Sequence, residues 1–193
     1  MKLKSFAMGL ALVPFFAKAQ TIQQVTIEPE SHFSLSGTSN VNSFSCVMED
    51  AFSNYQLNVC YSQDEDQLVF ENTGFHLAVS NFDCQNAKMT HDLKNALKAD
   101  KYPKIKFELL TLEGLKSGDC EPIAESLINI AGKANKYLLK YKVKQISEDE
   151  YRIYLNADFN MKDFGIDPPT AMMGIVKVNE IISINLRLHV VMK

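Results

Sequence analysis

Apolar and polar residues alternate along most of this chain, at the two-residue period of strands with one dry and one wet face. Val25 to Leu35, Val41 to Met48 and Tyr55 to Ser62 read as the first three runs, with a turn at Gly37-Thr38-Ser39-Asn40. Asp64-Glu65-Asp66 forms a charged turn before Leu68 and Phe70, and Phe75, Leu77 and Val79 continue the pattern. Further on, Ile105, Phe107 and Leu109 alternate with Lys104, Lys106 and Glu108. Gly118 and Pro122 punctuate the next connection. Ile128 and Ile130 follow, then Gly132, then Leu139, Tyr141 and Val143 between Lys140, Lys142 and Lys144. The last two runs carry Ile153, Leu155, Ala157 and Phe159, and Ile184, Leu186, Leu188 and Val190.

The period changes once. Over Thr90–Ala99 the spacing predicts a helix, with Thr90 as N-cap, Asp92 near its positive end, and Met89, Leu93, Ala96 and Leu97 on one face. Tyr102-Pro103 stops it, because proline disfavours helix in the residue before it. Between the last two strands lies a loop too long and too apolar for a plain hairpin turn. Pro168 and Pro169 stiffen it, Gly165 and Gly174 free its ends, and Phe164, Ile166, Met172, Met173 and Ile175 make it greasy. Such a loop is either a lid packed on the protein's own core or a flap at the mouth of a lipid pocket, where methionines can repack.

About eight antiparallel strands with one apolar face predict a mainly β domain, a closed barrel or a sandwich. The inserted helix departs from a pure meander and is expected to plug one end of a barrel or lie across it.

The start of the chain reads as a secretory signal. Lys2 and Lys4 precede the apolar run Phe6 to Phe16, and Ala17-Lys18-Ala19 is a small-x-small cleavage site. That run is too short to span a bilayer, and no later run approaches that length. Gln20 stands where a lipid-anchored protein would need cysteine, so the expectation is a soluble periplasmic or secreted protein without an anchor. Removing the first 19 of 193 residues leaves one domain, 20–193, and moves the formal charge from −3 to −6. An acidic chain whose arginines are Arg152 and Arg187 is a poor nucleic-acid binder.

Cys46, Cys60, Cys84 and Cys120 survive cleavage, and an even number in an exported protein predicts disulfides. Of the three pairings, Cys46–Cys60 with Cys84–Cys120 is favoured, since each closes a local excursion. No CxxC occurs, and His91 lacks a second ligand at metal spacing, so no metal or other cofactor is expected. The lysine runs alternate with apolar residues and read as a solvated outer face. Arg152 and Arg187 move outward by the same phase, and so does His189, which is expected at the surface. Almost no formal charge then points inward, and a charged headgroup would sit at the mouth. The chain lacks GxSxG, HExxH and a phosphate-cradling glycine loop. Asp163 and Asp167, like Asp64 and Asp66, suit turns better than acid–base work. No catalytic residue is expected.

Three segments resemble the YceI-like family of exported bacterial proteins. Ser39-Asn40-Val41-Asn42-Ser43-Phe44 is similar to its early (S/G)xVxxF strand, Tyr102-Pro103-Lys104-Ile105-Lys106-Phe107 to its YPxIxF junction after the helix, and Asp163-Phe164-Gly165-Ile166 to its late DFGI turn. The family's RDxHL run appears as Met89-Thr90-His91-Asp92-Leu93, and its LTIxGxTK run keeps Gly132 while losing both threonines. This is the pattern of a divergent branch.

The resemblance implies a lipocalin-like antiparallel β-barrel whose dry interior holds a long amphiphile, a polyisoprenoid or fatty-acid derivative. Burial of ~0.8 kcal/mol per methylene would drive that binding. The residues expected in contact are Phe44, Phe70, Phe75, Leu77, Ile105, Phe107, Ile128, Ile130, Leu155, Phe159, Met172, Met173 and Leu186, each of which could equally pack a plain core. A lipid or isoprenoid chain and a second copy of the protein are the partners left open. The competing readings are an interaction domain with a filled core, an outer-membrane barrel with its dry face outward, and an enzyme.

Overall fold

A computed structural model describes residues 19–53, 55–64, 66–114, 121–171 and 173–193. The signal segment, but for Ala19, lies outside them, as do Cys120 and Met172. The apolar alternation becomes a ring of antiparallel strands. In ring order these are β1 (Gln20–Ile27), β4 (Tyr55–Asp64), β5 (Gln67–Ala78), β7 (Lys104–Glu113), β8 (Ile123–Ile130), β9 (Lys133–Gln145), β10 (Glu150–Asn160) and β12 (Val176–Met192). The pairing of Val25–Ile27 with Val190–Met192 closes it. Eight strands leave an interior about wide enough for side chains or one small ligand. Residues facing inward are the apolar members of each run: Ile105, Ile128, Leu155 and Leu186 are buried, while Lys104, Lys106, Lys140, Lys142 and Lys144 are exposed.

The barrel is not a plain cylinder, because β12 is long enough to serve two neighbours on one side. Its end pairs with β1, and Val178–Arg187 pair with β2 (His32–Ser39). The run Val25–Leu35, expected as one strand, is therefore broken at Glu28–Ser31. Pro29 cannot donate to a ladder, and a turn closes from the Ser31 N–H to the Glu28 carbonyl at 3.0 Å. From β2 the sheet continues through β3 (Ser43–Met48) to β6 (Phe82–Asp83), a flap beyond the ring. Gly37 to Ser39, expected in a turn, instead belong to β2, and the turn falls at Asn40–Asn42.

After β6 comes α1 (Ala87–Ala96). It begins earlier than predicted, because Asn86 is its N-cap and accepts from the Met89 N–H at 3.0 Å. Thr90, expected as the cap, instead accepts from the Cys84 N–H at 3.0 Å. A bridge between Cys46 on β3 and Cys84 ties the flap to the lead into α1. This overturns both expected pairings. Local separation favoured Cys46–Cys60, but β3 and β4 do not pair, whereas β3 and β6 do, starting one residue from each cysteine. Among the described residues Cys60 has no bridge.

Candidate functional site

Three short segments shape the interior, and each turns on one close contact. In the β2–β3 turn, Ser39 Oγ accepts from the N–H groups of Val41 (3.2 Å) and Asn42 (3.1 Å), which sends β3 back across β2. Phe44 then lies over Gly37, its cross-strand partner, where a Cβ would come within 2.6 Å of the ring. At the junction after α1, the Tyr102 ring covers Gly132, where a Cβ would meet it at 2.3 Å and φ is +82°. Only glycine fits there on both counts.

The third segment is a 3-10 turn, Met161–Phe164. Asp163 Oδ2 accepts from the Tyr137 hydroxyl at 3.0 Å, and its carbonyl accepts from Asn135 Nδ2 at 2.8 Å. Burial, with the Asp163 carboxylate beside it, pushes the Tyr137 hydroxyl up to about 12, so it stays a donor. The Tyr137 ring packs edge-on against Phe159 (4.8 Å) and stacks on Phe164 (5.9 Å). Gly165, at φ +64°, reverses the chain and turns Ile166 inward. Asp163 thus holds a turn in place.

Together these segments enclose a cavity of about 370 Å³ between the ring, the flap and α1, within the common range of ligand pockets. Phe33 and Leu35 of β2, Phe44 and Cys46 of β3, and Met89, Leu93, Ala96 and Leu97 of α1 form one wall. Ile105 and Phe107, Ile128 and Ile130, and Phe159 with Met161 form the barrel side. Phe164, Ile166, Val176, Val178, Ile182 and Ile184 complete it. Every fully buried lining residue is apolar. The polar ones, Ser39, Asn42, Asn86, Lys88, Asp92 and Thr170, are exposed or half-buried and so belong to the mouth.

Of the expected contact residues, Phe44, Ile105, Phe107, Ile128, Ile130 and Phe159 line this cavity. Leu77, Leu155 and Leu186 are wholly buried core and do not reach it. Phe75 stacks on Phe107 at 5.0 Å and supports it from behind, while Phe70 packs on Tyr61. Met173 is fully exposed, so the greasy loop presents it to water and not to the cavity. The loop lines it instead with Phe164, Ile166, Pro169 and Thr170, the last being the first residue of the short strand β11 (Thr170–Ala171). The helix face had been legible as apolar, yet Met89, Leu93, Ala96 and Leu97 were absent from the expected contacts. Their signal was the same 3.6-residue period that located the helix.

His189 lies on the outer face, as its phase predicts, but is covered there. Its ring is held between the carboxylates of Glu30 and Glu150, at 2.6 Å from the latter, and its side chain is only 14% exposed. It is remote from the cavity lining. Among the described residues no cluster of three or more His, Cys, Asp or Glu could hold a metal, and no helix is long and apolar enough to cross a membrane.

A model of the YceI-like domain matches residues 25–190. No curated protein sequence matches the chain. Solved structures share its fold at low identity. BcnA from Burkholderia cenocepacia is 14% identical with a TM-score of 0.59, over 83% of this chain and 96% of that one. A polyisoprenoid-binding domain from Saccharophagus degradans, implicated in plant cell wall breakdown, is 9% identical with a TM-score of 0.60, over 86% and 97%. The YceI protein of Campylobacter jejuni is 12% identical with a TM-score of 0.51, over 96% and 91%. Such identities speak for the fold alone.

Proposed function

The chain belongs to the YceI-like family, and from that premise we propose that it is an exported binding protein holding one long amphiphile, a polyisoprenoid or a fatty-acid-like chain, in its apolar interior. The observation that carries this reading is the cavity itself: about 370 Å³ with an entirely apolar buried lining and polar groups only at its mouth. A domain whose core merely filled itself would be close-packed there, since voids of this size cost stability. The hydrocarbon would lie along Phe33, Phe107, Ile128 and Phe159, with its polar end near Lys88, Asn86 and Asn42 at the mouth. Binding, and not catalysis, suits this lining, which offers no buried acid, base or nucleophile to a reacting group. The N-terminal signal pattern and the Cys46–Cys84 bridge support a periplasmic or secreted location. Native mass spectrometry of the protein purified without detergent should show a co-purified apolar adduct at one equivalent. Adduct-free protein that also fails to acquire one from a lipid extract would contradict the reading.

A further inference from the structure

Exposed apolar side chains such as Ile22 and Ile146 stand apart, as they do on ordinary soluble proteins. Val41 (63% exposed), Ile175 (69%) and the fully exposed Met173 do not. Val41 is at the tip of the β2–β3 turn, and Met173 and Ile175 are in the turn between β11 and β12. Asn40 joins the two tips. Its side chain donates to the Ile175 carbonyl (2.9 Å) and accepts from the Lys177 N–H (2.8 Å), and its own N–H donates to the Lys177 carbonyl (3.1 Å). On the inner side of the same tips Ser39, Asn42, Thr170, Val176 and Val178 line the cavity. The three exposed apolar groups are therefore the outer lip of the mouth, held as one unit.

We infer that this lip docks on a phospholipid bilayer, so that the ligand passes between membrane and cavity without crossing water; the inference rests on the cavity's binding an apolar chain. Side chains that lose area to water at the lip gain it back in the acyl boundary. Lys177 belongs to the lip itself, pairing with Thr170 and bonding to Asn40 through its backbone, and suits headgroup phosphates, while Lys88 and half-buried Asp92 line the cavity from α1. The chain is acidic, at −3 in full and −6 without its first 19 residues, so an anionic surface repels the rest of the molecule and favours approach by this end. A second copy of the protein fits less well, because three side chains on two turn tips fall far short of the roughly 1,000 Å² that a stable interface buries.

The test separates docking from binding. Unliganded protein is floated with phosphatidylcholine vesicles, with and without phosphatidylglycerol, and is titrated separately with a fluorescent fatty-acid probe in vesicle-free buffer. The wild type should float. The double variant Val41→Ser, Ile175→Ser should lose roughly tenfold or more in partition while its probe affinity stays within about twofold. Equal flotation of the two proteins, or none by the wild type, would overturn the docking lip. So would a dimer in sedimentation that the same substitutions dissociate, since that assigns the lip to a second copy. Wild type that floats and takes up no probe would uphold the lip and overturn the cavity reading instead.

Discussion

Phe107 shows what a single inward position does in this barrel. Its ring stacks on Phe75 at 5.0 Å and meets Phe33 edge-on at 6.1 Å, while its free side borders the cavity. Phe107→Ala should destabilise the protein by about 3 kcal/mol, the lower end for such truncations, because part of the ring faces open space. Lys106→Ala, one position along and facing water, should change stability by no more than about 0.5 kcal/mol. Denaturant titration of both variants checks the pair, and equal losses would refute the strand phase. That phase was legible in the sequence, since Ile105 and Phe107 could share a face only in a strand. Which inward residues reach the cavity was not. Leu77, Leu155 and Leu186 have the same alternation as Ile128 and Phe159, and only the position of the flap and helix over the ring distinguishes core from lining.

At the scale of elements, one tie fastens the flap to the lead into α1 and a second fastens the flap's corner to the ring. The Cys46–Cys84 bridge spans 38 residues of sequence, and closing a loop of that length contributes about 4 kcal/mol by restricting the unfolded chain. Sequence spacing could not reveal it, because the bridge depends on β3 pairing with β6 across two intervening strands. The second tie is His189, which joins the corner between β1 and β2, through Glu30, to β10 through Glu150. Burial alone would lower the imidazole's pKa, but the hydrogen bonds and charge of the two carboxylates outweigh it and the net shift is upward. The Glu30 carboxyl is held below its ordinary value, first by a backbone N–H and then by His189.

A raised histidine contributes fully below its unfolded value of 6.5 and loses that contribution as pH rises through the higher folded value. A depressed carboxyl contributes fully above 4.5 and loses its part as pH falls through the lower folded value. The clamp is therefore complete between 4.5 and 6.5. His189→Gln should cost more stability at about pH 5.5 than at about pH 8.5, as read by denaturant titration at each pH. An equal cost at both would mean that the ring serves only as packing. The alternation of Leu188 and Val190 correctly put His189 on the outer face. It could not show that the break at Pro29 brings Glu30 back over that face.

For the whole molecule, the sequence carried the fold class well, since nearly every strand of the ring announces itself by a two-residue period. Closure was harder to read. It depends on β12 pairing with β2 and then β1 along one edge, which leaves β2, β3 and β6 as the flap that roofs the cavity with α1. The central claim is that this roofed space takes an apolar chain. Ala96 of α1 borders it and is half-buried, so Ala96→Trp places an indole into the cavity at little cost to the helix. The decisive measurement is a titration of wild type and Ala96→Trp with a long-chain apolar fluorophore, alongside the melting temperature of each. Saturable uptake of one equivalent by the wild type, roughly tenfold or weaker affinity in the variant, and closely similar melting temperatures are expected. Absence of saturable uptake by the wild type, or equal affinity in the two proteins, would contradict the claim.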